Sequence, residues 1–315
     1  MQLTTNTRAF IEAQQYSQFI LQNLNDGLLP GQFYRNVSDF TTGTVLNIKT
    51  IGTASIQDVE EDKAIVYNPI DTNTITMSIT DYIGDAWAVS DVLRQDGSQI
   101  EQLMAQRAQE STRAIQEDFE TKFLKVAAVG QLAANINGVS HVGAVGAITA
   151  TQVDAQKVID EFARQKFAFD KANVPQMGRV AIVDAKVEYI LNVVGGLMAN
   201  FDRNPQFQAV IEQGFSKNHK FMFNLFGWDI YTSNRLHVLS AGDATAIGAG
   251  VAGQTANLFL NALDDSTKGV MAAWRQMPST EGARNKDLAR DEFVTRARFG
   301  FGIQRRESLG LMLTA

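Results

Sequence analysis

The chain has no cysteine and only three histidines among its 315 residues. The absence of cysteine excludes disulfide bonds, thiolate metal sites and cysteine nucleophiles. His141, His219 and His237 show neither H-x-x-x-H nor H-E-x-x-H spacing, so nothing in their pattern indicates a metal-dependent or histidine-based enzyme. We expect His219 in a solvated loop and His237 at the end of a strand. No cofactor or metal is predicted.

Long apolar runs and positive charge are also scarce. No uninterrupted apolar stretch reaches the ~18 residues that a membrane helix needs. The first eight residues lack the charged-then-apolar pattern of a secretory signal. The formal net charge is −6 and the pI is near 5.2, which argues against a general nucleic-acid binder, because phosphate affinity comes from clustered Lys and Arg. These features predict a soluble, cytoplasmic protein without a membrane partner.

The composition is that of a protein able to bury a core, with 45% apolar and 20% charged residues. Disordered and collagen-like chains are excluded on this ground. At roughly 100–200 residues per domain, the length allows about two compact units, or one with large extensions.

Two segments near the start are predicted to need a neighbour in order to fold. Residues 1–38 are polar and nearly uncharged, which predicts an arm that lies on something else, such as another subunit. Residues 43–80 are rich in β-branched side chains and alternate at Ile75, Met77 and Ile79, which predicts a long β-hairpin. An isolated hairpin is marginally stable in water, so this one needs a neighbour. Four acidic residues mark its predicted tip: Asp58, Glu60, Glu61 and Asp62.

Helical spacing dominates the next part of the chain. Apolar residues recur at helical intervals from about 99 to 127, and Ser98 with Glu101 forms a capping-box pattern at the start. Such a helix would span ~43 Å, longer than a globular domain usually holds. A second helix is predicted over about 152–170, starting at Thr151 or Asp154 and ended by Asn173-Val174-Pro175.

The second half reads as buried strands separated by loops. A strand is predicted over 179–183, with Asp184 capping a helix that ends at Gly195-Gly196. An aromatic-rich segment covers 221–231, and a Gly/Ala-rich loop covers 242–253. The later strands and loops are predicted as follows: strands Leu258–Leu260 and Val270–Trp274, an exposed polar segment 278–290, an alternating strand 293–301 and an apolar end 309–313.

Motifs that carry chemistry elsewhere have weak support in this chain. Gly248 to Gly253 matches G-x-G-x-x-G, but a strand follows it and the nearest acids, Asp264 and Asp265, come too early for a dinucleotide fingerprint. A flexible loop is the better interpretation. Neither these two acids nor the acidic cluster at 58–62 is spaced as a Ca²⁺ loop, so turn and hairpin tips are favoured.

A basic stretch near the end of the chain leaves two interpretations open. Between 284 and 306, seven cations outnumber Asp287, Asp291 and Glu292. The stretch could face nucleic acid. It could instead pair with the acidic hairpin tip or the long helix of another subunit, which we favour because the whole chain is acidic.

Three motifs in order resemble the major capsid protein of tailed bacteriophages, the Hong Kong 97-type fold. The segment 41–52, leading to Asp62 and Tyr67, is similar to that family's extended loop. The segment 227–236, Gly-Trp-Asp-Ile-Tyr-Thr-Ser-Asn-Arg-Leu, resembles a turn in its axial domain, and 291–302 resembles its last peripheral strands.

The resemblance implies an α+β fold with a defined division of the chain. The N-arm would be 1–39, the extended loop 40–81, the peripheral domain 82–178 with a spine helix at about 88–128, the axial domain 179–284, and the peripheral return strands 285–315. The Gly/Ala loop 240–254 would point toward the capsomer centre.

The resemblance also implies function by assembly, not catalysis. Pentamers and hexamers would form an icosahedral shell around double-stranded DNA, bound without sequence specificity, in a virion assembled in the bacterial host cytoplasm. Portal, scaffolding and possibly decoration proteins would be partners. Because no scaffolding-like segment is seen, a scaffold is expected to be a separate protein, and the start at Met1 suggests no cleaved delta domain.

The expected inter-subunit contacts are charged side chains of the arm, hairpin, long helix and basic stretch. They are Arg35, Lys49, Asp58, Glu60, Glu61, Asp62, Lys63, Arg107, Arg113, Arg284, Arg290, Arg296 and Arg298. Some members of the family cross-link a Lys to an Asn, and Lys49 and Lys63 lie in the hairpin, but nothing independent supports a cross-link. An encapsulin-like nanocompartment, an α/β enzyme and a phage adhesin or tail protein are the alternatives.

Overall fold

A computed structural model describes thirteen stretches of the chain. They are residues 28–29, 31–37, 43–52, 56–59, 61–62, 64–65, 67, 70, 72–96, 100–130, 135–149, 151–191 and 221–315. The strands are β1 (Arg35–Asn36), β2 (Val45–Ile51), β3 (Thr72–Ser78), β4 (Asp81–Ser90), β5 (Asn135–Ile136), β6 (Val139–Ser140), β7 (Val142–Gly146), β8 (Arg179–Val183), β9 (Phe221–Leu225), β10 (Trp228–Thr232), β11 (Thr255–Asn261), β12 (Val270–Asn285), β13 (Arg290–Ile303) and β14 (Leu309–Thr314). The helices are α1 (Asp91–Asp96), α2 (Ile100–Val129), α3 (Gln152–Lys171), α4 (Ala185–Tyr189) and α5 (Ala241–Ile247).

A six-stranded mixed sheet in the order β7-β14-β11-β8-β10-β9 holds most of the core. Its central strands β14, β11 and β8 are buried on both faces, because side chains of alternating direction meet a different helix on each side. On one face, Phe123 and Leu124 of α2 pack in the same cluster as Leu258 of β11. On the other face, Phe162 of α3 packs in the same cluster as Phe259 of β11.

A second sheet in the order β1-β12-β13-β4 has fewer strands, and two of them, β12 and β13, are longer, with 16 and 14 residues. On one face, Phe119 of α2 packs against Ala297 and Phe299 of β13. On the other face, Met77 and Ile79 pack against β12. The sheet is therefore enclosed between the long helix and the base of the hairpin.

The predicted hairpin is confirmed. Strands β2 and β3 pair antiparallel from Val45 opposite Ser78 to Ile51 opposite Thr72. Met77 is 1% exposed and Ile79 is buried, which matches the alternation in the sequence. Residues 52–71 connect the two strands, so the acidic cluster lies in the connecting loop as predicted.

The long helix is also confirmed, with a later start than the domain division gave. Helix α2 begins at Ile100, not near 88, because residues 81–90 pair with β13 along their whole length. Its 30 residues span about 45 Å. Ser98 of the predicted capping box lies outside the described residues.

Helix α3 follows its predicted boundaries closely. The Thr151 hydroxyl accepts a hydrogen bond from the Asp154 amide and caps the helix. The helix ends at Lys171, and Asn173 follows with a φ of 58°, a conformation that breaks a helix. Asp184 caps α4 as predicted, whereas the predicted end at Gly195-Gly196 lies outside the described residues.

The Gly/Ala-rich segment is not wholly a flexible loop. Ser240 and Asp243 form a reciprocal capping box that starts α5, and Gly248 ends the helix in the left-handed conformation. The helix forms because both end signals flank an alanine-containing turn, which the sequence reading overlooked. A strand, β11, follows. The order helix, glycines, strand is the reverse of a dinucleotide-binding motif.

The last part of the predicted arm packs on its own subunit. Phe33 is 1% exposed and contacts the Tyr231 ring edge-on. Tyr34 lies against Phe119 and Phe123 of α2, and β1 pairs in parallel with β12. Residues 31–37 therefore belong to the core of the subunit, and they fix where the preceding residues leave it.

Candidate subunit-contact surfaces

Two glycines allow the hairpin to sit directly on the four-stranded sheet. A Cβ on Gly300 would overlap the Ser78 carbonyl oxygen and lie 2.7 Å from the Ile79 Cα. A Cβ on Gly302 would lie 2.8 Å from the Met271 Cε. We call this close contact of the hairpin base with Gly300 and Gly302 the glycine seat. The sequence analysis did not predict it. The signal for it was a pair of glycines two residues apart in an aromatic strand, since glycine inside a strand often marks a close backbone approach.

The loop beyond the seated base exposes an unusual amount of apolar surface. Ile56 is 98% exposed, Tyr67 is 93% exposed and Ile51 is 80% exposed. Large apolar side chains exposed in this number within one hairpin indicate a surface that is covered by a partner. The charged candidates Asp58, Glu61, Asp62 and, on β2, Lys49 are all exposed beside this surface. Glu60 and Lys63 lie outside the described residues, so nothing in the structure bears on a cross-link at Lys63.

A buried ion network joins Leu29 at the base of the arm, the long helix α2 and the turn after β10 that carries Arg235, which we call the axial turn. Glu120 of α2 accepts hydrogen bonds from the Leu29 amide at 2.8 Å and from Arg235 at 3.2 Å. Arg235 also donates to Glu117 at 2.7 Å, and Glu117 accepts from Arg113. The candidate Arg113 is therefore engaged within its own chain. Glu120 and Arg235 were not among the predicted site residues, because sequence spacing does not show which carboxylate is buried.

The basic stretch is partly neutralised inside the subunit. Arg284 makes a two-pronged ion pair with Asp91, at 2.5 and 2.6 Å, and also contacts Asp291. Arg290 pairs with Glu292 at 2.7 Å. Because these pairs form within one chain, Arg284 and Arg290 are less available to a second subunit than the sequence suggested.

Four other candidate cations are placed differently. Arg107 pairs with Asp85 across the helix–sheet contact at 2.8 Å. Arg296 is exposed on β13 and Arg298 is half-buried there, and in the part of the chain that the structure describes neither forms an ion pair. Arg35 donates to Gln304 at 3.3 Å. Within the described stretches of the chain, Arg35, Arg296 and Arg298 therefore form no ion pair.

Features that would suggest catalysis have structural explanations. His141 is fully buried, its Nδ1 lies 3.0 Å from the Leu309 carbonyl oxygen and its ring stacks on Phe169. Burial lowers the pKa of His141, so the ring is neutral at pH 7. His219 lies outside the described residues. Among the residues that the structure describes, no cluster of acids and histidines could hold a metal ion, and no helix is long and apolar enough to cross a membrane.

The capping box of α5 predicts that the stability of the folded chain depends on pH in a measurable way. Hydrogen bonds from the Ser240 hydroxyl and from His237 hold the pKa of Asp243 down to about 2. The folded state therefore gains stability from the ionised carboxylate above the ordinary pKa of 3.8, and that gain is lost as the pH falls from about 4 to about 2. We expect Asp243→Asn to be less stable than the natural chain at pH 7 and to lose less stability than it between pH 4 and pH 2.

Urea denaturation of both proteins at a series of pH values measures this difference. The titration of the other acids affects both proteins equally, so it cancels when one free energy of unfolding is subtracted from the other. Ser240→Ala is a second variant, expected to cost about 1 kcal/mol at pH 7 through loss of the N-cap. Parallel pH profiles for Asp243→Asn and the natural chain would contradict the assigned role of Asp243.

Comparison with known proteins gives a consistent picture. The family model described as phage capsid protein matches residues 72–311, well over half of the chain. No curated protein sequence matches. Among solved structures, the capsid of cyanophage P-SCSP1u aligns with a TM-score of 0.70 and 15% identity, over 99% of this chain and 97% of that chain. The capsid asymmetric unit of cyanophage Pam1 gives 0.67 and 14%, over 100% and 98%. A chain from Mycobacterium phage Che8 gives 0.68 and 16%, over 96% and 97%.

Proposed function

This chain belongs to the phage capsid protein family and is a major capsid protein of the Hong Kong 97-type fold that assembles with itself into the virion shell, and we propose that its hairpin loop is the principal contact between subunits. The observation that carries this proposal is the contrast along the hairpin. Its base is seated on the subunit by Met77 and Ile79, whereas Ile56 and Tyr67 beyond it are almost fully exposed. Burying such side chains against a neighbour contributes about 25 cal/mol per Å².

The subunits would form pentamers and hexamers with the predicted division of the chain. In this proposal 1–39 is the N-arm and 40–81 the extended loop. The four-stranded sheet with α2 lies in the peripheral part, so β12 (Val270–Asn285) belongs there although the predicted division gave it to the axial segment 179–284. Helix α5 with the glycines after it lies nearest the capsomer axis. The six-stranded sheet takes β14 from the return segment and β8 to β11 from the axial segment, so the two segments share one hydrogen-bonded sheet. This supports the proposal that a displacement of one part moves the other.

Charged contacts between copies would be many and individually weak. We propose that Asp58, Glu61 and Asp62 pair with cations for which the described residues of their own subunit supply no ion pair, such as Arg296 and Arg298. Exposed ion pairs contribute about 0–1 kcal/mol each, so their sum, and not any single pair, would hold the shell. Such contacts can also break and re-form while errors of assembly are corrected.

The shell would enclose double-stranded DNA without sequence specificity and would be assembled in the host cytoplasm with portal and scaffolding proteins. The net charge of −6 supports packaging by enclosure in preference to tight binding of DNA. The chain would have no enzymatic activity of its own, a proposal supported by the buried, neutral His141 and by the family. The family match favours this function over the nanocompartment alternative.

Light scattering with negative-stain imaging of the purified protein, alone and with the scaffolding protein of the same phage, tests the function. Closed icosahedral particles, or stable pentamers and hexamers, are the expected result. A monomer of 34.6 kDa under both conditions would contradict it.

Deletion of residues 1–27 is expected to leave a folded subunit that closes shells poorly. The cut falls before Leu29 and Phe33, so the ion network at Glu120 and the aromatic packing of the arm base are kept. Sedimentation of assembled particles, with circular dichroism as the check on folding, measures the effect. Normal yields of closed shells from the truncated chain would contradict the assignment of 1–27 to subunit contacts.

A further inference from the structure

A pocket lies between the base of the arm, helix α2 and strand β12, away from the hairpin. Its cavity volume is about 280 Å³, close to the lower end of the range that small-molecule sites occupy. Leu28 and Met277 line it and are 40% and 61% exposed, so the pocket opens to the surface. None of the described hairpin residues lines it.

Five aromatic side chains line the pocket. Phe119 is stacked on Trp274 with the ring centroids 4.4 Å apart, and Tyr34 meets Phe119 edge-on at 5.4 Å. Phe33 and Phe123 complete the aromatic lining, and each is at most 3% exposed. Burial raises the pKa of Tyr34, so its hydroxyl is uncharged at pH 7. A planar apolar molecule can pack against such rings by offset stacking or by edge-to-face contact.

The pocket also presents one buried carboxylate. Glu120 lines it, and its side chain is 7% exposed. Within the described part of the chain, Glu120 accepts hydrogen bonds from the Leu29 amide at 2.8 Å and from Arg235 at 3.2 Å. A carboxylate has about four acceptor positions, so Glu120 can take a further donor from the pocket. Because Arg235 already compensates its charge, that donor need not be a cation.

We propose that this pocket binds a small, uncharged, planar aromatic molecule that carries an N–H donor, such as an indole. The ring would pack against the aromatic lining, and its N–H would donate to the Glu120 carboxylate. A bicyclic ring system fits, since the cavity holds the volume of about nine water molecules. The ligand would touch the arm base, α2 and β12 together and so would hold the arm base in place. The proposal concerns the folded subunit and does not rest on the proposed shell function.

Isothermal titration calorimetry of the unassembled full chain with indole tests the proposal. We expect one saturable site with a dissociation constant on the order of 1 mM, as suits a ligand of about nine heavy atoms. Indole should also raise the midpoint of thermal unfolding, because a ligand that binds only the folded chain stabilises it. Indene has the same shape without the N–H, and it should bind about fivefold more weakly through loss of one hydrogen bond.

A variant that fills the pocket locates the binding site. Gly31 lines the pocket, and a Cβ there would come no closer than 3.5 Å to the Tyr34 hydroxyl, so Gly31→Leu places a side chain in the cavity without a clash at its Cβ. We expect this variant to lose indole binding. Gly242→Leu is the matched control, since Gly242 does not line the pocket and a Cβ there would lie 3.8 Å from the Ser240 hydroxyl.

A second pair of variants acts from the exposed side of the pocket. Met277→Trp, which enlarges a lining side chain that is 61% exposed, should weaken indole binding. Met177→Trp makes the same change at a residue that is 73% exposed and does not line the pocket, and it should bind indole as the natural chain does. Circular dichroism checks that each variant is folded, so loss of binding can be assigned to the pocket.

The outcomes separate this site from the shell function. Equal binding of indole to the natural chain and to folded Gly31→Leu would place the ligand elsewhere and overturn the proposal. Equal binding of indole and indene would contradict the N–H donor at Glu120. If a peptide of residues 1–27 displaces indole, the pocket receives an arm and the small-molecule assignment is wrong. Normal shells from a chain that does not bind indole would overturn the site and leave the shell function standing.

Discussion

Gly300→Ala is expected to destabilise the subunit by about 3 kcal/mol and to abolish shell formation. A methyl group at this position would overlap the Ser78 carbonyl oxygen and crowd the Ile79 Cα at 2.7 Å. Both neighbours are backbone atoms at the end of β3, so they cannot turn aside as a flexible side chain would. Relief of the overlap requires that the base of the hairpin lift from the sheet, which uncovers Met77 and Ile79.

The measurement pairs urea denaturation with an assembly assay. Gly242→Ala is the matched control, because a Cβ there would come no closer than 3.8 Å to the Ser240 hydroxyl. That position lies in α5, where alanine is favoured over glycine by about 1 kcal/mol. The control should therefore be at least as stable as the natural chain and should assemble normally.

The two effects of Gly300→Ala can be told apart. A folded variant with native stability and normal shells would show that the hairpin does not depend on this seat. A folded but destabilised variant that forms capsomers and no shells would confirm that the angle of the hairpin, and not only its presence, is required. Gly302→Ala should show a milder form of the same defect, because its obstacle is the end of the Met271 side chain.

Periodic patterns made the fold predictable. The hairpin, the long helix and helix α3 each show many apolar positions at a fixed spacing, and a pattern repeated over twenty or more residues tolerates local exceptions. The boundary near 88 was wrong for the opposite reason. Helix α1 is only six residues long and follows the ten-residue strand β4 directly, so the switch from the strand period to the helix period falls within a few residues.

Charge pairing was much less predictable. The excess of cations between 284 and 306 is visible in the sequence, but Asp91, the partner of Arg284, is 193 residues away from it and comes near only because β4 pairs with β13. The same holds for Arg107 and Asp85. A composition-based search therefore located the excess of positive charge without showing which of its cations are already paired within the chain. The glycine seat was missed because a close approach depends on the partner strand.

The buried carboxylate of Glu120 supports the second large expected effect. Its side chain is only 7% exposed and holds the Leu29 amide of the arm base and the Arg235 guanidinium of the axial turn. Removing one member of a buried ion pair costs about 3 kcal/mol when the other member is left uncompensated. Arg235→Met leaves the buried Glu120 without its cation, so we expect it to lower the free energy of unfolding by about 3 kcal/mol. Glu120→Gln should cost less, about 2 kcal/mol, because Arg235 keeps its hydrogen bond to Glu117.

A double-mutant cycle shows whether Glu120 acts through Arg235. Because the two side chains stabilise each other, Glu120→Gln/Arg235→Met should cost at least 1 kcal/mol less than the sum of the single changes. Glu110→Gln on the same helix is the control, since the Glu110 side chain is 37% exposed and meets Arg113 at 3.4 Å, and it should cost no more than about 0.5 kcal/mol. Additive single effects would mean that the arm base and the axial turn are anchored to α2 independently. A strong coupling would instead mean that one carboxylate fixes the exit of the arm relative to the axial part, so that Glu120→Gln also disturbs shell closure in chains that remain folded.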